Sequence, residues 1–174
     1  MVKDRTCCFT GHRPEKMPFY ANGNSYGFRQ FQNALTRAVF DAIHSGYNHF
    51  ITGMSRGMDL WAAQEVIAYR KAYPSLTLEA AIPFEGQDVL WSEEDRALYA
   101  SVRGQCDSVV ILSPSHTPYV MYMRNRYMVD RSSMLIAAYD GAAGGTRYTV
   151  EYAKSRGLVI VNLFETDYYD YTIL

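Results

Sequence analysis

Two glycine-bearing loops have the composition of phosphate-binding turns. Residues Thr52 to Asp59 read TGMSRGMD, residues Asp140 to Thr146 read DGAAGGT, and a segment of helical period follows each loop. Glycine lets backbone N–H groups approach a ligand, and a helix N-terminus favours an anion. We therefore expect two anion sites that face each other, which suits a ligand with two phosphates or a phosphate and a sugar.

The Thr52 to Asp59 loop carries no standard nucleotide-binding motif. Gly53 and Gly57 are four residues apart without the GxGxxG pattern, and no Gly-Lys-Ser/Thr follows them. Asp59 also has a structural interpretation, because a carboxylate at this position can cap a helix by accepting N–H bonds.

A third loop, Thr10 to Pro14, reads TGHRP. Gly11 allows close backbone approach, while His12 and Arg13 supply donors suited to phosphate. An exposed charged turn is the alternative interpretation.

Five further side chains are candidates for the site. Trp91 either stacks on a base or packs on the sheet. Of the adjacent Arg124, Asn125 and Arg126, at most two can face one cleft, and we favour Arg126 to balance phosphate charge. Glu151, one turn into the last predicted helix, either complements the helix dipole or takes part in catalysis. The predicted ligand-binding residues are Thr10, Gly11, His12, Arg13, Gly53, Met54, Ser55, Gly57, Asp59, Trp91, Arg126, Asp140, Gly144, Gly145 and Thr146.

The elements that must position these loops alternate between short apolar runs and segments of helical period. This alternation predicts a Rossmann-like α/β fold, a doubly wound and mostly parallel sheet of about six strands with helices on both faces. In such folds ligands bind at the carboxyl ends of the strands. The predicted strands are Thr6 to Thr10, Phe50 to Thr52, Leu76 to Ile82, Ser108 to Leu112, Met134 to Tyr139 and Leu158 to Asn162. The predicted helices are Phe28 to Ser45, Leu60 to Ala72, Val89 to Gly104 with Leu90, Leu98 and Val102 facing inward, Val120 to Asp130, and Thr146 to Arg156.

Length and composition bound the remaining possibilities. The 174 residues suit one domain over 1–174, with a short irregular tail from about residue 164. The composition is 48% hydrophobic and 20% charged, which is typical of a folded globular chain. A net charge of −1 gives no global attraction to nucleic acid, and no apolar run approaches the ~20 residues of a membrane helix. We expect a cytoplasmic protein that does not bind a membrane.

The three cysteines, Cys7, Cys8 and Cys106, form neither a CxxC pair nor a zinc-like cluster. We therefore expect no metal and no other cofactor. Cys7 and Cys8 lie in an apolar run, where thiols usually behave as small buried hydrophobic groups.

Together these motifs resemble the SLOG superfamily of Rossmann-like nucleotide-ligand proteins and, within it, the YpsA-like family. The resemblance covers Cys7 to about Leu163. It implies a pocket for an ADP-ribose-like or other nucleotide-derived ligand and a regulatory role in bacterial stress, envelope or division physiology. The motifs that carry it are Cys8 to Pro14, Thr52 to Asp59, Trp91, Met128 to Asp130, Tyr139 to Gly141 and Gly144 to Thr146.

Two related families supply alternative functions. The Gly53 to Asp59 loop is similar to the corresponding loop of the DprA family, which implies single-stranded DNA binding. The spacing from Gly144 to Glu151 is similar to the Gly-Gly-x-Gly-Thr-x-x-Glu motif of LOG-type phosphoribohydrolases, with Glu151 in the place of the catalytic glutamate. In this chain Arg147 and Tyr148 stand where that motif has Gly-Thr.

We favour a binding module for a nucleotide-derived small molecule, acting as a sensor or regulator. The alternatives are hydrolysis of a nucleoside monophosphate's N-glycosidic bond with Glu151, and single-stranded DNA binding, which the net charge disfavours. The aromatic content permits a homodimer, and the sequence identifies no protein partner.

Overall fold

The fold was determined as a computed structural model that describes residues 3–19 and 25–165. Six strands and five α-helices alternate along these residues. The strands are β1 (Thr6–Gly11), β2 (His49–Thr52), β3 (Thr77–Phe84), β4 (Ser108–Ser113), β5 (Met134–Ala138) and β6 (Val159–Asn162). The helices are α1 (Ser25–His44), α2 (Met58–Tyr69), α3 (Glu93–Arg103), α4 (Val120–Asp130) and α5 (Gly145–Ser155), with short 3₁₀ turns at Lys3–Arg5 and Pro14–Lys16.

All strand pairs are parallel, and the strand order is β4-β3-β2-β1-β5-β6. The predicted Rossmann-like fold is therefore confirmed. The chain builds outward from β1 to β4 and then returns to place β5 on the other side of β1. The register aligns Gly11 with Ala138, so the loops after β1 and β5 leave the sheet side by side. This is the topological switch point at which open α/β sheets bind ligands.

Alternate residues of the buried strands supply two cores. On one face Phe9 and Phe50 stack at 5.9 Å between ring centroids and pack with Phe31 of α1. On the other face Cys8 and its neighbours pack against α4 and α5. Burial raises the pKa of the Cys8 thiol to about 12, in agreement with the predicted role of a small buried hydrophobic group.

The predicted start of the third helix, at Val89, is wrong by about one turn. Helix α3 begins at Glu93, where the Ser92 hydroxyl accepts a hydrogen bond from Asp95 N. Residues 86–91 form turns, and Leu90, which was predicted to face inward, is 96% exposed. The predicted tail lies outside the described residues beyond Glu165. Among the described residues no helix is both long and apolar enough to cross a membrane.

Candidate functional site

A cleft with a volume of about 660 Å³ lies at the carboxyl ends of β1 and β5. We call it the main cleft. The loops after β1 and β5, the N-terminus of α5 and one face of α4 form its walls. Its lining residues are Phe9, Thr10, Gly11, His12, Arg13, Glu15, Lys16, Ser55, Asp59, Met121, Arg124, Asn125, Met128, Asp140, Ala142, Ala143, Gly144, Gly145 and Thr146.

His12 and Asp140 join the two loops at the switch point. His12 Nε2 lies 2.8 Å from Asp140 Oδ1, and the same oxygen accepts a hydrogen bond from Ala142 N at 2.9 Å. These two hydrogen bonds, the backbone one first, lower the pKa of Asp140 below its ordinary value. The carboxylate is therefore anionic and held in place at neutral pH.

A buried ion pair forms the floor of the main cleft. Arg124 Nη1 donates to the Gly53 carbonyl, to Ser55 Oγ at 3.2 Å and to Asp59 Oδ2 at 3.2 Å. Arg124 Nε donates to Asn125 Oδ1 at 2.7 Å. Burial raises the pKa of Asp59 above its ordinary value, although the nearby Arg124 guanidinium acts in the opposite direction. Because both side chains are more than nine-tenths buried, each depends on the other for charge compensation.

The loop that holds this pair is packed against protein, which corrects the prediction of a phosphate site at Thr52 to Asp59. A β-carbon on Gly53 would overlap the Arg124 guanidinium, and one on Gly57 would lie 2.8 Å from His12 O. Ser55 N already donates to Asp59 Oδ2 at 3.2 Å. Gly53 and Gly57 therefore allow close packing of an arginine and of a neighbouring loop rather than of a ligand. Of the predicted residues in this loop, only Ser55 and Asp59 line the main cleft.

The second glycine loop does open to the main cleft. Helix α5 begins at Gly145, and its N-cap residue, Gly144, supplies no side-chain cap. A β-carbon on Gly145 would meet no atom within 4 Å, so the backbone here is accessible. Thr146 adds a hydroxyl beside the first N–H groups of the helix. This end of α5 has the features of an anion site.

The charges along the main cleft are unevenly paired. Glu15 pairs with Arg56 at 2.9 Å and Asp59 pairs with Arg124 at 3.2 Å, whereas Asp140 is hydrogen-bonded to His12, which carries a charge only when it is protonated. The side chains of Arg13 and Lys16 make no hydrogen bond or ion pair within residues 3–19 and 25–165. Two cationic side chains are thus left to attract an anion at the side of the cleft formed by the β1 loop.

Three more predicted site residues, besides Gly53, Met54 and Gly57, lie outside the main cleft. Trp91 packs edge-on against Tyr99 with ring centroids 5.5 Å apart, which is the packing interpretation given above. The exposed Arg126 guanidinium lies 4.9 Å from the Tyr152 ring centroid on the outer surface of α4. The Glu151 side chain is 58% exposed, and its carboxylate accepts a hydrogen bond from Lys154 at 3.2 Å.

Of the three adjacent polar residues of α4, Arg124 and Asn125 line the main cleft and Arg126 does not. The sequence limits the choice to two of three adjacent residues, and the packing of α4 on β3 decides which two. Lys16 was not predicted at all, because nothing in the sequence shows that the short turn Pro14–Lys16 folds back beside β1. Met121, one turn before Arg124, has the helical spacing that could have identified it.

No group of three or more His, Cys, Asp or Glu residues that could hold a metal ion occurs in the described ranges.

Comparison with known proteins agrees with the fold and the motifs. A model of the YspA SLOG family matches residues 7–159. The UPF0398 proteins of Bacillus cereus (strain B4264) and Bacillus thuringiensis (strain Al Hakam) are each 29% identical over 168 residues, which cover 95% of this chain and 88% of each relative.

Two solved structures share the architecture. DNA processing protein A (DprA) from Streptococcus pneumoniae has a TM-score of 0.56 at 16% identity, over 89% of this chain and 49% of DprA. The structural-genomics target TM1055 has a TM-score of 0.56 at 17% identity, over 93% of this chain and 75% of that protein. At these identities the similarity shows the fold alone.

Proposed function

Since the chain belongs to the YspA SLOG family, we propose that its main cleft binds a nucleotide-derived small molecule of the nucleoside-phosphate or ADP-ribose class. In this proposal the protein acts as a sensor or regulatory module. The ligand lies across the carboxyl ends of β1 and β5, with a phosphate at the N-terminus of α5.

The unequal pairing of charges carries this proposal. Glu15 and Asp59 pair with arginines and Asp140 is hydrogen-bonded to His12, whereas the side chains of Arg13 and Lys16 form no ion pair within the described residues. An anion entering the cleft therefore meets two cations and the uncapped N-terminus of α5 without displacing an existing ion pair. A volume of about 660 Å³ leaves room for a sugar and a base beside one phosphate.

The polar groups on the α4 side suit the rest of a nucleotide. Asn125 Oδ1 accepts from Arg124 Nε, which orients the amide so that its NH₂ group is left to donate to a ligand. Met121 and Met128 supply polarisable apolar surface beside it. This wall fits a base or sugar better than a second phosphate.

The position of Glu151 favours binding over hydrolysis by this residue. A carboxylate that assists cleavage of an N-glycosidic bond must approach the ribose, but Glu151 does not line the main cleft and pairs with Lys154 on the outer surface of α5. Single-stranded DNA binding requires a basic groove with aromatic platforms. The lining of the main cleft has three carboxylates, and its one aromatic residue, Phe9, is fully buried.

Ligand-observed NMR tests the proposal with AMP, ADP-ribose, NAD and a cytokinin riboside monophosphate, followed over hours in the same samples. We expect saturation transfer to at least one compound without chemical change. Release of free base and ribose phosphate would instead show hydrolysis, and Glu151→Gln would then show whether this carboxylate takes part. Absence of transfer to all four compounds would contradict the proposed ligand class. A gel shift with single-stranded DNA at low salt tests the remaining alternative.

A further inference from the structure

The hydrogen bond between His12 and Asp140 fixes which ring nitrogen carries the proton. Asp140 Oδ1 is a carboxylate oxygen that can only accept, so His12 Nε2, at 2.8 Å, must be the donor. The carboxylate is held in place by Ala142 N at 2.9 Å. In the neutral imidazole the proton is therefore on Nε2, and Nδ1 presents a lone pair.

The Nδ1 atom is available to a ligand. His12 is 8% exposed and its side chain lines the main cleft. None of the described residues forms a hydrogen bond with Nδ1, yet Nδ1 is not among the fully buried atoms that lack a partner. A nearly buried ring with one nitrogen fixed and the other open forms a rigid hydrogen-bond acceptor.

This acceptor does not suit a phosphate. A phosphate dianion has no proton to donate, and the lone pair of Nδ1, with the Asp140 carboxylate behind the ring, repels it. The donors for a phosphate lie elsewhere in the main cleft, at the N-terminus of α5 and on Arg13 and Lys16. The main cleft thus offers donors to a phosphate and, at His12 Nδ1, an acceptor that requires an O–H or N–H group.

We propose that His12 Nδ1 accepts a hydrogen bond from a ribose hydroxyl, so that the main cleft selects ribonucleotides over their deoxy counterparts. The inference rests on the proposed function, because it specifies one sugar contact of the same ligand. Asp140 acts as a positioning residue that keeps the proton on Nε2. Omission of the hydroxyl leaves Nδ1 of a nearly buried ring without a donor when the analogue covers it, and the analogue binds more weakly for that reason.

The test measures the affinities of AMP, 2′-deoxy-AMP and 3′-deoxy-AMP for the full chain by calorimetry at about pH 8. We expect at least one deoxy compound to bind about tenfold more weakly than AMP. The fluoro analogue at the same carbon can accept but not donate a hydrogen bond, and we expect it to bind as weakly as the deoxy compound.

His12→Ala should lower the affinity for AMP to that of the weaker deoxy compound and leave the deoxy compound unchanged. His116→Ala, on the exposed loop after β4, is the matched control and should retain the preference. Equal affinities within about twofold for AMP and both deoxy compounds in the wild-type chain would overturn the inference while the proposed function stands. Absence of binding by all three compounds would overturn both.

Discussion

The guanidinium of Arg124 occupies the space where a β-carbon on residue 53 would lie, and it donates a hydrogen bond to the Gly53 carbonyl. Helix α4 is thereby joined to the loop between β2 and α2. The same guanidinium compensates the buried carboxylate of Asp59 at 3.2 Å. The floor of the main cleft is therefore a buried ion pair that connects α4 to the loop after β2.

Arg124→Met should lower the free energy of unfolding by about 3–5 kcal/mol, because it leaves Asp59 buried without its cation. Urea unfolding followed by circular dichroism measures the loss. Arg126→Met is the matched control, since Arg126 is exposed on the same helix, and its midpoint should equal that of the wild type. Equal losses of unfolding free energy in the two variants would contradict the stabilising role of the Arg124–Asp59 ion pair.

The same variant should show a characteristic pH dependence. Without Arg124, the pKa of Asp59 in the folded state rises further above its ordinary value of 3.8. The folded state then binds a proton that the unfolded state releases until the pH falls to the unfolded pKa. The deficit of the variant relative to the wild type should therefore shrink as the pH falls from neutral. A deficit that does not change with pH would contradict the role of Asp59.

Gly53→Ala should be destabilising by about 1–3 kcal/mol, because its β-carbon would lie 2.6 Å from Asp59 Oδ2 and overlap the Arg124 guanidinium. Gly145→Ala is the contrasting substitution, since nothing lies within 4 Å of its β-carbon. We expect it to leave thermal stability unchanged or slightly raised. If Gly53→Ala melted at the wild-type temperature, the packing described here would be wrong.

The sequence predicts the fold well because each strand and helix has its own periodic signal. The strand order could not be predicted in the same way, because no local pattern encodes the packing that places β5 beside β1. The start of α3 shows a missed local signal: Ser92 followed by three acidic residues marks a helix N-terminus, yet the apolar Val89 and Leu90 suggested an earlier start.

The candidate site was predictable to the level of loops rather than of side chains. His12, Arg13, Asp140, Gly144 and Gly145, which the sequence predicts to bind a ligand, all line the main cleft. The Thr52 to Asp59 loop was misinterpreted because glycines that admit a guanidinium resemble glycines that admit a phosphate. The choice of Arg126 over Arg124 failed for a related reason, since helical period alone does not say which side of α4 contacts the sheet.

A second buried cluster, on β2 and β3, should shape the acid stability. Glu79 accepts a hydrogen bond from Tyr127 at 2.7 Å, and His49 Nε2 lies 3.6 Å from its other carboxylate oxygen. Burial opposes ionisation, but these contacts outweigh it and hold the pKa of Glu79 below 4.5. As the pH falls, the unfolded state therefore binds the proton first. The stabilisation by Glu79 is present above the pKa of Glu79 in the unfolded state and is lost as the pH falls through its pKa in the folded state.

Glu79→Gln should remove this part of the acid transition and cost about 1 kcal/mol at neutral pH, where the charge-assisted hydrogen bond is lost. Unfolding free energies measured across the acid range check the slope. A variant with the same pH dependence as the wild type would show that Glu79 does not contribute.

In the proposed complex, Arg13 and Lys16 assist the N-terminus of α5 in binding the phosphate of a nucleotide in the main cleft. The decisive measurement is calorimetric titration of AMP into the wild type, the double variant Arg13→Gln/Lys16→Gln and the control Arg37→Gln, since Arg37 is exposed on α1 away from the cleft. We expect the double variant to bind AMP at least about tenfold more weakly, at about 1.4 kcal/mol for each factor of ten, and the control to bind as the wild type does. Equal affinity in all three proteins would contradict it.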